Sequence, residues 1–182
     1  MNRIMHAVVT GIVGAALLHI IIILSLPNFT GKDAFTRVRA IGPSHSFHSL
    51  GDVAKDDGLT NVDPFIKTAV CHFDIARQPL RLLARGGPSF WSLAIYDKDS
   101  NEVFSMNDRT SVGGNLDMVL ATPVQLSQIR KAPGAALTQS ILVEHKGTTG
   151  YVVLRTMAPQ PSFEAEAASF LEEAVCTPLS GP

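Results

Sequence analysis

Two cysteines are the residues of this chain best suited to covalent chemistry. Cys71 lies in a strand-like run, and Cys176 lies just past the last predicted helix. In an exported domain two cysteines most simply form a disulfide, which would close a loop of about a hundred residues and contribute roughly 2–4 kcal/mol. The alternative is two buried free thiols in a cytosolic domain. A catalytic role is disfavoured because Cys71 and His72, adjacent in a strand, would point to opposite faces.

Histidines supply the first of two weak metal-like patterns. His45 and His48 are three residues apart, and His72 follows later in the chain. This spacing is common, and no cysteine or carboxylate pattern accompanies it, so a structural metal site is disfavoured. The sequence predicts neither a metal nor a cofactor.

The second pattern is a calcium-like alternation of Asp97, Asp99 and Asn101 between two strand-like runs. A calcium loop also needs a downstream glycine and a bidentate glutamate, and this segment lacks both. Polar residues of this kind are typical of a hairpin turn. We therefore expect residues 97–101 to form a solvated turn.

A polar cluster, Asn107, Asp108 and Arg109, follows the next predicted strand. It is either a local salt bridge or a contact for a ligand or partner. The chain has no Ser-His-Asp order, no phosphate-binding glycine loop after a strand and no suitably placed pair of acids. The sequence thus favours a non-enzymatic protein. Cys71, His72 and Asp108 would be the first residues to replace if it were an enzyme.

Length and charge narrow the class of protein. The 182 residues carry a formal net charge of −1, whereas nucleic-acid binding normally shows as a clustered basic surface. A chain of this length leaves room for one folded domain.

A long apolar segment opens the chain. Residues 4–26 contain no charged side chain, and about 20 apolar residues span the hydrocarbon core of a bilayer. A cleaved signal peptide is the alternative, but the run is longer than a typical signal h-region and no small-x-small site follows it. We expect an uncleaved, single-pass anchor with the following domain outside. Lys32, Arg37 and Arg39, which come after the span, weakly favour the opposite orientation.

One face of this segment carries small residues. Ala7, Gly11 and Ala15 recur every four positions, with Gly14 beside them. Small residues let a second membrane helix approach closely; chance is the alternative, because glycine and alanine are common in membrane helices. Deeper in the span, we expect His19 to be neutral and bonded to a neighbouring helix; the alternative, a proton relay, would need a second buried titratable group, which this span lacks.

The patterns after the anchor predict a mainly antiparallel β domain. Period-2 alternation and aromatic residues over 63–109 indicate strands joined in a meander. Apolar runs at 140–144 and 151–155 predict a second hairpin, central in the sheet. Trp91 and Tyr96 are predicted as core and hairpin pairs, with an aromatic surface groove as the alternative.

Two helices and one short element complete the prediction. The short element, a helix or a strand, lies near residues 34–41, and Thr122 and Pro123 start a helix as its cap and first residue. The last helix has Ser162 as its cap and acidic residues in its first turn. Its apolar face comprises Phe163, Ala167, Phe170, Leu171, Ala174 and Val175.

The predicted fold class is α+β. An N-terminal transmembrane helix (1–27) and a linker (28–62) lead into one mainly antiparallel β domain (63–182). The C-terminal helix is expected to pack on the sheet.

The segment between Cys71 and Arg109 resembles the DUF1254 family, a bacterial family of unknown function. The resemblance covers roughly residues 63–120 and rests on these motifs: Cys71-His72-Phe73-Asp74-Ile75 with Pro79-Leu80, Phe90-Trp91-Ser92-Leu93, Tyr96-Asp97, and Asn107-Asp108-Arg109. It implies a β-rich envelope domain and supplies no catalytic residue. The short, anchored form is similar to α-proteobacterial members that accompany a separate DUF1214 protein, so a companion DUF1214 protein is an implied partner.

These observations predict a membrane-anchored accessory subunit of a bacterial cell-envelope complex. It would lie in the inner membrane, with its domain in the periplasm. It would dock a membrane protein partner through its anchor and its periplasmic domain. The alternative is a periplasmic binding module for a lipid or other apolar envelope molecule, held in a cleft between the sheet and the C-terminal helix. The bilayer is an expected partner and nucleic acid is not.

Overall fold

The computed structural model describes residues 2–29, 33–52, 58–61, 63–131 and 137–179. The chain divides into two units, residues 1–33 and residues 34–182, which we describe separately. The first unit contains one helix, α1 (Asn2–Phe29). Its segment Asn2–Leu26 is, by length and composition, able to cross a membrane, with a mean hydropathy of 2.6.

The second unit is built mainly from strands, as the α+β prediction requires. Short 3-10 turns at Asp108–Thr110 and Pro161–Phe163 lie between its helices and strands. In chain order its elements are α2 (Ala34–Ile41), β1 (His48–Ser49), β2 (Ile66–Asp74), β3 (Leu80–Ala84), β4 (Trp91–Asp97), β5 (Glu102–Asn107), β6 (Leu116–Ala121), α3 (Pro123–Lys131), β7 (Ile141–Glu144), β8 (Thr149–Met157), α4 (Glu164–Glu172) and β9 (Val175–Pro178).

The strands form two sheets that enclose one apolar core. The larger sheet has the order β1-β2-β8-β4-β5 and the smaller has the order β7-β6-β3-β9. Neighbouring strands are antiparallel except β6 and β7, which are parallel. Side chains alternate across each strand, so every second residue of both sheets enters the core between them. Fully buried examples are Phe73, Leu82, Trp91, Met118 and Leu154.

The predicted meander over 63–109 is wrong in its pairing. β2 pairs with β1 and β8, whereas β3 pairs with β6 and β9 in the other sheet. Only β4 and β5 form a hairpin. Alternation identifies a strand but not its neighbour, and the chain crosses from one sheet to the other between Asp74 and Leu80.

The predicted second hairpin is also wrong. β7 lies at an edge of the smaller sheet, parallel to β6, while β8 lies centrally in the larger sheet between β2 and β4. A parallel pair needs a crossover, which α3 supplies. The predicted start of α3 is confirmed: the Thr122 N–H donates to Gln125 Oε1 (2.9 Å), and the Gln125 N–H donates to Thr122 Oγ1 (3.4 Å).

The C-terminal helix is present, but its start differs from the prediction. α4 begins at Glu164 after a 3-10 turn, Phe163 occupies the cap position, and no side chain caps the helix, so Ser162 is not the cap. The predicted apolar face is confirmed at Ala167, Phe170 and Leu171, which are buried. The helix ends at Glu172, so Ala174 and Val175 lie beyond it, and Val175 begins β9.

Part of the predicted linker belongs to the folded unit, which starts at Ala34. Val38 of α2 is buried, and His48 of β1 pairs with Val70 of β2. The reason is visible in the sequence: Ala34, Val38 and Ile41 are spaced as one apolar helix face. This face packs on the larger sheet on the side away from the main core.

Candidate functional site

An apolar groove lies on the outer face of the larger sheet, beside α2. We call it the α2 groove; its volume is about 540 Å³. Of the described residues that line it, nine are apolar or aromatic and five are polar. The lining comprises Ala34, Val38, Leu50, Leu59, Ile66, Val70, Tyr96, Tyr151 and Val153, together with Thr60, Asn61, Asp63, Thr68 and Arg155.

The floor of the α2 groove follows from strand register. Val70 of β2 lies opposite Val153 of β8, and Tyr151 of β8 lies opposite Tyr96 of β4. These positions alternate with the core residues of the same strands, so their side chains reach the outer face. The sequence carries a signal for this second apolar face, because residues 151–154 of β8 are apolar without alternation, the pattern of a strand covered on both sides.

Aromatic stacking closes one end of the floor. The rings of Tyr96 and Tyr151 are stacked with centroids 5.0 Å apart, and the ring of Phe35 lies 6.5 Å from that of Tyr151. Tyr96 therefore belongs to the aromatic surface groove that the sequence left as an alternative, while Trp91 is a core residue as predicted. Since Trp91, Leu93 and Ile95 point inward, Tyr96 must point outward.

Asn61 builds one wall of the α2 groove. Its side-chain amide donates to the Leu50 carbonyl (2.7 Å) and its side-chain oxygen accepts from the Thr68 N–H (3.1 Å). β1 is only two residues long, so the edge of β2 beyond it needs such partners for its backbone groups. These bonds hold Leu50 and Leu59 beside the floor.

Two of the described residues that line the groove are charged. Arg155 of β8 is exposed and lies opposite Thr68 of β2 and Ser92 of β4, which are uncharged. Asp63 is exposed, and its Oδ1 accepts the Phe65 N–H (2.8 Å). Thr68 lies beside Arg155 in the lining, and at the aromatic end the guanidinium of Arg39, which does not line the groove, lies 5.6 Å from the centroid of the Phe35 ring.

The cleft predicted between sheet and C-terminal helix lies elsewhere. Phe170 and Leu171 of α4 pack into the main core, where Phe170 lies 6.4 Å from Trp91 between ring centroids. The apolar groove is formed by α2 instead. The predicted linker includes residues 34–41, so the prediction gives α2 no part in a cleft.

The three histidines of the metal-like pattern, His45, His48 and His72, lie near the junction of α2 and β2. Each ring is bonded to a backbone carbonyl through its Nε2 atom, and no group of three or more His, Cys, Asp or Glu residues able to hold a metal occurs in the described part of the chain. The bonded pairs are His45 with Asp74 (3.1 Å), His48 with Pro43 (2.9 Å) and His72 with Gly42 (3.0 Å).

The surroundings of His72 lower the pKa of its ring. Burial lowers its pKa below the usual 6.5, and the hydrogen bond to Gly42 opposes that effect. The charge of Arg39 and the neighbouring rings of His45 and His48 lower the pKa further. A neutral ring therefore fits this site better than a charged one.

The segment after β4 is a hairpin turn, as predicted. Asp97 Oδ1 accepts the N–H groups of Asp99 and Asn101, both at 2.9 Å, and Oδ2 accepts the Asn101 side-chain amide at 2.9 Å. Partial burial raises the pKa of Asp97, but the bonds from Asn101 and Asp99 and the nearby His145 outweigh it and lower the pKa below 3.8. The carboxylate is used to fix the turn.

The polar cluster at the end of β5 caps a 3-10 turn. Asn107 Oδ1 accepts the N–H groups of Arg109 and Thr110, both at 3.1 Å, and the Asn107 N–H donates to Thr110 Oγ1 at 3.0 Å. None of Asn107, Asp108 and Arg109 lines the α2 groove. Their role as ligand or partner contacts stays a prediction.

The disulfide between Cys71 and Cys176 is present, as predicted. It joins β2 of the larger sheet to β9 of the smaller sheet across 105 residues of chain, with Cα atoms 6.7 Å apart. Cys71 is buried in the core while His72 lies on the outer face, so the two do not face each other. Disulfides persist in oxidising compartments.

The candidate helix-packing residues Ala7, Gly11, Gly14 and Ala15 are all exposed on α1. A Cβ atom added at Gly11 or Gly14 would meet no other atom within 4 Å. Their role in helix packing stays a prediction.

Comparison with known proteins gives a likeness of fold. No family model matches the chain, and no curated protein matches it. The VPA0106 protein of Vibrio parahaemolyticus is similar in structure, with a TM-score of 0.53 and 14% identity over 66% of this chain and 31% of that one. An uncharacterized protein from Burkholderia cenocepacia gives a TM-score of 0.47 and 14% identity over 81% of this chain and 42% of that one. This chain thus spans about a third of the length of the VPA0106 protein, and the likeness concerns fold alone.

Proposed function

We propose that this chain is a membrane-anchored, non-enzymatic binding module of the bacterial periplasm, which holds an apolar molecule in the α2 groove. The observation that carries the proposal is the groove itself: about 540 Å³, with a floor of aliphatic and aromatic side chains. Small-molecule sites occupy about 300–1,000 Å³ and are mostly apolar. Covering such a floor with an apolar ligand removes it from water, worth about 25 cal/mol per Å².

Three features support the placement in the periplasm and at the inner membrane. α1 has the length and composition of a membrane span. The Cys71–Cys176 disulfide suits an oxidising compartment. The resemblance to the DUF1254 family favours a bacterial envelope protein.

Filling the groove tests the proposal. Thr68 is half-buried in the groove wall, and only its backbone groups are bonded there, to Asn61 and Leu50. Phenylalanine suits a strand, so Thr68→Phe should leave the fold intact and exclude the ligand. Native mass spectrometry of the full chain, purified in mild detergent, measures any small molecule that stays bound.

Ser105→Phe is the matched control, because Ser105 lies exposed on the edge strand β5 of the same sheet and does not line the groove. We expect a bound mass in the wild type and in Ser105→Phe, and its loss in Thr68→Phe. A wild type that carries no small molecule, or equal retention in all three proteins, would contradict the proposal.

A second candidate function is an accessory subunit that docks a membrane partner, for which a companion DUF1214 protein is the implied choice. The observation that favours it is the open face around Gly11 and Gly14 on α1, since small residues admit a second helix. The same detergent preparation tests it. A stoichiometric protein partner, lost on Gly11→Leu, is the expected result, and a chain that purifies alone would count against it.

A further inference from the structure

Arg155 places a positive charge at one end of the α2 groove. Among the described residues that line the groove it is the one cation, and its side chain is exposed. Thr68 and Ser92, its cross-strand neighbours, are uncharged. Nothing in the described part of the sheet requires a guanidinium at this position for packing.

No carboxylate in the described part of the chain forms an ion pair with Arg155. Described ion pairs join Lys67 to Asp52, Arg81 to Asp117 and Lys98 to Asp99. The other charged lining residue, Asp63, uses one carboxylate oxygen to accept the Phe65 N–H. A guanidinium stays charged at every physiological pH and binds a carboxylate through two parallel hydrogen bonds.

Two other polar side chains that line the groove are bonded to the protein. Asn61 bonds Leu50 and Thr68 through its side chain, and Thr60 Oγ1 donates to the Gly51 carbonyl (3.0 Å). From Arg155 the floor runs along β8 to Tyr151, four residues or about 13 Å away. It thus presents one cation at one end and an apolar surface along its length.

We propose that the α2 groove binds a single-chain fatty acid, with the acyl chain along Val153 and Tyr151 and the carboxylate on Arg155. This inference rests on the proposed function and adds the class of ligand and the residue that recognises its head. Charge complementarity selects an acid over a neutral lipid of equal length. A volume of 540 Å³ is in the lower half of the range of about 300–1,000 Å³ for ligand sites, which suits one chain.

Photo-labelling of the full chain in nanodiscs of phosphatidylcholine tests the inference. The probes are hexadecanoic acid and hexadecanol, each carrying a diazirine at the same carbon, and the labelled peptides are identified by mass spectrometry. We expect the acid to label peptides of β2 and β8 that line the groove. Arg155→Gln should reduce this labelling by about tenfold or more, the effect of losing a charged hydrogen-bonding partner, and should leave labelling by the alcohol unchanged.

Two further variants make the result specific. Arg130→Gln removes an exposed arginine of α3 that does not line the groove and should change nothing. Arg155→Lys keeps the charge but loses the paired hydrogen bonds of the guanidinium, so it should retain only part of the labelling by the acid. Equal labelling of the groove by acid and alcohol, insensitive to Arg155→Gln, would overturn the inference and leave the apolar binding module standing. If neither probe labels the groove, the result contradicts both the fatty-acid inference and the proposed binding module.

Discussion

His72 joins the larger sheet to the segment that follows α2. Its ring lies on the outer face of β2, where Nε2 is 3.0 Å from the Gly42 carbonyl just after α2. Burial and the neighbouring Arg39 disfavour a proton on this ring. Protonation of His72 therefore costs more free energy in the folded protein than in the unfolded chain.

The lowered pKa of His72 predicts a direction for stability against pH. Below 6.5 the unfolded chain takes up a proton at His72 more readily than the folded chain does. The free energy of unfolding should therefore fall as pH drops through 6.5, and should level off once the folded protein is protonated too. Denaturant unfolding of the full chain between pH 8 and pH 5 measures this.

His72→Gln serves as the comparison, because glutamine can donate to Gly42 but does not titrate in this range. We expect the variant to lose part of the fall in stability between pH 7 and pH 5. An identical slope in wild type and variant would show that other groups cause the pH dependence.

At the residue scale, the structure confirms the predictions that depend on the alternation of side chains along a strand. Cys71 inward and His72 outward follow from alternation alone, and the disulfide follows from the cysteine count. The stack of Tyr96 on Tyr151 could not be predicted, because it depends on β4 and β8 being neighbours. The place of Arg155 in the groove could not be predicted either, because it depends on the pairing of β8 with β2 and β4.

At the scale of elements, the sequence predicted where strands and helices lie better than how they pair. β8 was correctly expected at the centre of a sheet, because its run is apolar on both faces. β7 has a similar run but lies at an edge. The difference arises from α3, which separates β6 from β7 and allows them to pair in parallel, so that β7 cannot form a hairpin with β8.

The disulfide belongs to this scale because it joins the two sheets through β2 and β9. Its removal should lower the free energy of unfolding by about 2–5 kcal/mol, since the unfolded chain regains the freedom of a long loop. Denaturant unfolding of the full chain with and without reductant measures the change.

The double variant Cys71→Ala with Cys176→Ala controls for effects of the reductant itself. It should be less stable than the oxidised wild type and should not respond to reductant. Equal stability of the oxidised and reduced wild type would contradict a stabilising link between the sheets.

At the scale of the whole molecule, the two units have separate tasks in the proposed function. α1 is the candidate membrane span, and the folded unit from Ala34 onward carries the groove. Composition was sufficient to find the span, because length and hydropathy alone define it. The groove required the three-dimensional fold, since its lining comes from α2, from three strands and from the segments around Leu50 and Asn61.

The central claim is that the α2 groove takes up an acyl chain. Its most direct test is a methyl NMR spectrum of the full chain in phosphatidylcholine nanodiscs, recorded before and after addition of decanoic acid. Signals of Leu50, Leu59, Val70 and Val153, which line the groove, should shift, and those of core residues such as Leu93 and Leu154 should not. Thr68→Phe should abolish the shifts. Unchanged groove signals, or shifts confined to α1, would contradict the claim.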